Sequence, residues 1–149
     1  MLDQTQQHIN GIIKQVRDHL FSLTSEQLRE RPAPGKWSKI EILGHLVDSG
    51  INNLQRFTEV QFMPRPFKYL NYKQDDLVKA NNYQEAELND VFGLYQAINI
   101  RILAIMEMQT EKTLAYEVVI PNDGKTTDLK FIMTDYADHM EHHLEQILR

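Results

Sequence analysis

Apolar residues recur along this chain at the three- and four-residue spacing that marks one face of a helix. In the first segment, residues 3 to 23, Ile9, Ile12, Ile13, Val16, Leu20 and Leu23 share such a face. The pattern breaks in SLTSEQLRERPAPGKWS. There Thr24 and Gln27 suit one capped turn, and Pro32, Pro34 and Gly35 interrupt the chain. Ser38-Lys39-Ile40-Glu41 has the form of a capping box, in which serine and glutamate satisfy free N–H groups at a helix start. Ile40, Leu43, Val47, Leu54 and Phe57 then form a stripe running to about Phe62, where two prolines, Pro64 and Pro66, end it. Residues 63 to 83 read as a loop holding one short helix from about Asp75 to Ala80. A third long helix spans about Glu85 to Met108, with Leu88, Val91, Phe92, Tyr95, Ile98, Ile102, Ile105 and Met106 inside. YEVVIPNDGKTTD reads as extended with a turn at Pro121 to Gly124, so one short strand or hairpin fits there. The last helix starts near Thr126 or Thr127 and continues to the end.

Four amphipathic helices of about 20 residues with little strand signal predict an all-α four-helix bundle. The second and third connections are long, and the first exceeds a tight hairpin. An up-down-up-down bundle needs only short loops, so at least one overhead crossover is expected. The 149 residues fit a single domain.

Composition narrows the chemistry. A formal charge of −5 argues against nucleic acid and against anionic membranes. No apolar run is long enough to span a bilayer, and MLDQTQQHIN lacks the features of a secretory signal. A bacterial, cytoplasmic protein is the expectation. Cysteine is absent, which removes disulfides and thiolate ligands and leaves His, Asp and Glu as strong metal ligands.

The most informative stretch is Asp135-Tyr136-Ala137-Asp138-His139-Met140-Glu141-His142-His143. His139 and His143 project side by side on a helix, about 40° apart, a spacing at which two imidazoles can share one cation. Against the stripe of Ile132, Tyr136, Met140, Leu144 and Ile147, this pair lies at one edge. His142 lies roughly 60° further toward solvent, as a neighbour to the site, although a His139–His142 pairing at spacing three stays open. A third ligand is offered by His45. Periodicity sets His45 on the polar side of the second helix with Asp48, Ser49, Asn52 and Arg56. That stripe is either a solvated face or the wall of a cleft, with Asp48, Ser49, Asn52 and Arg56 available to a substrate. Arg56 would favour an anionic one. His8 and His19 have no partner at ligand spacing.

PGKWSKIEILGHLVDS followed some 90 residues later by DYADHMEHHLEQI resembles the DinB superfamily. These are small bacterial bundles that include YfiT-like metal-dependent hydrolases and bacillithiol S-transferases. NNLQRF and YKQDDLVKANNY resemble its intermediate segments. The resemblance implies up-down-down-up connectivity and often a homodimer. It implies that His45, His139 and His143 hold one divalent ion, with zinc or nickel ahead of manganese or iron. In family members a glutamate often follows Asp-Ser; here that position is Gly50.

Three imidazoles leave a divalent ion its full charge and at least one open position. That position could activate water or hold a thiol. Three functions follow: transfer of a low-molecular-weight thiol to an electrophilic small molecule, metal-dependent hydrolysis, or a non-catalytic, stress-related metal-binding bundle. Asp135 and Asp138 are near the pair. Asp75 reads as a helix N-cap, with a cleft carboxylate as the other reading.

Overall fold

A computed structural model describes residues Met1–Arg149 and shows four long helices with a small sheet. The long helices are α1 (Asp3–Leu20), α3 (Lys39–Glu59), α5 (Leu88–Glu107) and α7 (Leu129–Leu148). Between them lie α2 (Ser25–Arg29), β1 (Phe67–Lys68), α4 (Gln74–Ala80), a 3-10 turn (Tyr83–Glu85), α6 (Glu111–Leu114), β2 (Glu117–Val119) and β3 (Thr126–Asp128). No helix is long and apolar enough to cross a membrane.

The helix starts follow their capping chemistry. Ser38 caps α3 with both bonds of the box in place: its hydroxyl accepts from the Glu41 amide, and the Glu41 carboxylate accepts from the Ser38 amide. Thr24 and Gln27 form the same box on α2. At α7 the cap is Asp128, which accepts from the Phe131 amide at 2.8 Å. The predicted caps, Thr126 and Thr127, instead pair in β3, because β2 and β3 hold the chain extended up to Asp128. Likewise Asp75 is not an N-cap; it lies in the first turn of α4, after Lys73.

The expected hairpin is present, and it gains a third strand. β3 runs antiparallel to β2, while β1 pairs with β2 in parallel, setting Phe67 opposite Val118. Both of those side chains are buried, so the small sheet rests on the core rather than standing alone.

Contacts along the helices give their directions. His8 meets Glu141 and Lys39 reaches both His19 and the Arg149 carbonyl, so α1 runs parallel to α7 and α3 antiparallel to it. Gln6 reaches Glu107 while Phe21 packs on Phe92, so α1 and α5 are antiparallel. The order is therefore up-down-down-up. Consecutive helices α3 and α5 run the same way, and residues 60–87 must return along the bundle between them. Two glycines set how closely α3 is packed. A side chain at Gly44 would overlap the Tyr83 ring, and a Cβ at Gly50 would lie 2.8 Å from the Ile98 methyl. A glutamate could not occupy position 50 without displacing the Ile98 side chain.

Candidate metal centre and its cleft

The return segment, α5 and α7 surround the first half of α3, and Ile40 through Gly50 are all buried. His45 is 0% exposed. Periodicity assigns it to a polar, open side. That assignment fails because a helix covered on all sides has no solvent face for the pattern to report. One turn beyond, Asp48 is buried as well, with Oδ1 accepting from the Tyr83 hydroxyl at 2.6 Å and from the Asn81 amide at 3.2 Å. Asp48 therefore braces the return segment and lines no cleft. Burial pushes its carboxyl up from the ordinary value, and the Tyr83 bond pulls it back.

His45 faces the pair on α7. Its Nε2 stands 3.3 Å from Nε2 of His139, which stands 3.1 Å from Nε2 of His143. One nitrogen from each ring falls within 4.8 Å of the others. A tetrahedral ion with nitrogen ligands at 2.0–2.1 Å spaces those nitrogens by about 3.3–3.4 Å. The two spacings through His139 match those of one ion, and the third pair lies within 4.8 Å. His143 donates its Nδ1 proton to Gln146 Oε1 at 2.9 Å, which leaves its Nε2 lone pair turned toward the other rings. His142 is exposed and points away, within 3.5 Å of Gln146. The spacing-three pairing is thus not the one the helix makes.

Burial works against a positive charge on each of the three rings. Burial, helped by His143 and His139, lowers His45 from 6.5 to about 3. Burial and the neighbouring histidines lower His139 to about 4. His143 is lowered by burial as well, partly offset by its bond to Gln146. Neutral imidazoles have the lone pairs that a metal requires.

Trp37 closes the centre from behind. Gly35, at φ +78°, turns the Pro34-Gly35-Lys36-Trp37 segment so that the indole lies 4.8 Å from the His45 ring and 6.4 Å from His143. Sequence reasoning overlooked Trp37 and Gln146. The only signal was the single tryptophan beside the Ser38 cap.

On its other side the centre opens to a cleft of about 790 Å³. His139 stands in its wall with Ser49, Asn53, Arg56, Tyr69 and Asp135. Ser49 and Arg56 line it as the stripe suggests, but Asn53 does so in place of Asn52, whose amide donates to the Asp48 carbonyl on its own helix. Asp75 reaches the rim, and Asp138 does not line the cleft. Partial burial, then Asp138, raises the Asp135 carboxyl.

Comparison with known proteins places these features. Residues 9–147 match the DinB superfamily. A protein of Geobacillus thermodenitrificans (strain NG80-2), provisionally named a metal-dependent hydrolase, is 22% identical over 138 residues, covering 89% of this chain and 74% of its own. YfiT from Bacillus subtilis, described as a probable metal-dependent hydrolase with an unusual four-helix bundle topology, has a similar structure. It superposes with a TM-score of 0.88 at 20% identity, over 98% of this chain and 83% of its own. The mycothiol-dependent maleylpyruvate isomerase gives a TM-score of 0.76 at 11% identity, over 99% of this chain and 60% of its own. At these identities the two structures establish a shared fold.

Proposed function

The chain belongs to the DinB superfamily, and from that premise we propose that it is a metal-dependent enzyme. In this reading His45, His139 and His143 hold one divalent ion, zinc or nickel, and the enzyme transfers a low-molecular-weight thiol to an electrophilic small molecule. The convergence of one nitrogen from each of three buried or half-buried imidazoles within 4.8 Å is the observation that carries the metal.

A divalent ion bound there would supply Lewis acidity, lowering the pKa of whatever protic group enters from the cleft. The residues around it do the remaining work. Gln146 fixes the tautomer of His143, and Trp37 excludes water from the back of His45. No carboxylate belongs to the cluster itself; the one that α7 brings to the cleft wall, Asp135, stands a turn before His139. A thiol, with a solution pKa near 8.5, needs little help to lose its proton. Water, much less acidic, usually relies on a neighbouring base. With no base inside the cluster, thiol transfer asks less of the site: the S–H proton passes to solvent in the cleft, sulfur bonds to the electrophilic carbon, and the leaving group departs with the bonding pair. The thiol dependence of the structurally similar isomerase is in keeping with it.

Metal-dependent hydrolysis is the second reading, supported by the descriptions of the Geobacillus relative and of YfiT. A conjugation assay with monochlorobimane and cysteine, with and without added zinc or nickel, separates the two. Metal-dependent conjugation supports transfer. Ester or amide hydrolysis without conjugation supports the second reading. Full metal content in a His45→Ala variant would overturn the three-histidine centre.

A further inference from the structure

Arg56 is a cation without an anion. It is half-buried in the cleft wall yet takes part in no ion pair, although Asp75, Asp76 and Asp135 line the same cleft. The return segment holds it instead by its faces. The Tyr69 ring lies 4.1 Å from the guanidinium carbon and the Tyr72 ring 5.4 Å. One Nη2 proton goes to the Leu70 carbonyl at 2.7 Å, its one protein acceptor. Stacked aromatic rings cover the faces of a guanidinium but leave the N–H edge free, and that planar edge matches an oxyanion in a bidentate way. A partly desolvated charge kept in place but unpaired in the protein calls for its partner from outside. Lys73, also in the lining and also unpaired, adds a second positive charge to this end.

Helix geometry relates this end to the histidines. Arg56 follows His45 by eleven residues, three turns of α3, so both leave the helix in nearly the same direction about 16 Å apart along its axis. His139 and Arg56 line one continuous cleft.

We propose that Arg56, framed by Tyr69 and Tyr72, is an oxyanion subsite, and that the substrate is an extended molecule with a carboxylate- or phosphate-type group roughly 10–15 Å from its reacting atom. The subsite itself stands on the cleft alone; the distance to a reacting atom rests on the proposed role of the histidines.

The test uses the full chain without metal, so that anions have no ion to bind. Succinate and inorganic phosphate are titrated separately and followed by NMR at the Arg56 Nε–H and the Tyr69 and Tyr72 rings. Saturable shifts are expected at all three, and the tighter of the two anions identifies the group. Arg56→Met should weaken that anion at least about tenfold, and Arg56→Lys, which keeps charge but loses the planar fork, by less. Tyr72→Leu provides a milder variant should Arg56→Met fold poorly, and a severalfold loss is expected from it. Absence of shifts with both anions, or unchanged affinity in the folded variants, overturns the subsite. Metal content of His45→Ala is read separately, so either proposal can fail while the other stands.

Discussion

The two halves of α3 carry polar side chains in opposite circumstances. From Ile40 to Gly50 the helix is buried, and His45 and Asp48 meet only uncharged partners there, His139 for the one and Tyr83 and Asn81 for the other. From Ile51 to Glu59 it is only partly covered, and Arg56 keeps its charge in a wet cleft. The difference teaches how one helix can serve two tasks. On the proposed reading, the closely packed half would offer lone pairs at fixed spacing, while the open half with Arg56 would receive what diffuses in. Substitutions in the first half should therefore cost stability and metal together. Those at the cleft-lining positions of the second, Asn53 and Arg56, should leave the metal alone.

The sharpest test of that division is His45→Ala. Loss of one of three converging imidazoles should weaken zinc binding by more than the 10–100-fold typical of an outer partner, measured by competition with a chelator. A smaller loss would mean that the α7 pair suffices and the closely packed half has no special part. Gly44→Ala should follow. Its methyl overlaps the Tyr83 ring, and overpacking of this kind should cost about 3 kcal/mol in urea denaturation.

Acid comes next in size. His45 is held near 3 when folded and returns to 6.5 when unfolded. Between those values the unfolded chain binds the proton and the native chain does not, so stability is full above pH 6.5 and falls as pH drops toward 3. From pH 7 to pH 5 the metal-free protein should lose about 2 kcal/mol through His45, seen as a falling urea midpoint. A flat profile would mean that the centre is wetter than its burial implies.

How much of this was legible beforehand divides along the same line. The capping boxes at Thr24 and Ser38 and the apolar stripes mark the helices because those signals are local. The His139–His143 pair was legible because both residues share one helix. His45 was not legible from periodicity, since what covers α3 comes from the return segment, α5 and α7, far away in sequence. Motif resemblance supplied it instead. For the same reason Asp48 and Asn52 were grouped with the cleft. The return segment splits the polar stripe, taking Asp48 for Tyr83 and Asn81 and leaving Ser49, Asn53 and Arg56 open. The third strand, β1, is too short at two residues to leave a pattern.

Two smaller effects finish the comparison. Gln146→Leu removes the acceptor that sets the His143 tautomer, and should weaken metal binding about tenfold without loss of fold. Asp135→Asn alters an exposed wall of the cleft. It should leave metal content intact and change stability by no more than about 0.5 kcal/mol. A variant at Asp135 that lost its metal would join the two halves into a single site.

That α3 and α5 run in the same direction bears on how such a protein can diversify. Tyr69, Tyr72 and Lys73 lie on the strap that parallel neighbours oblige the chain to make, whereas His45, His139 and His143 stand on the helices. If the proposed roles hold, mutation could redraw the strap, residue by residue, and bring new small molecules to the same three imidazoles. Heredity could then keep the proposed metal centre constant while the vocabulary of substrates drifts.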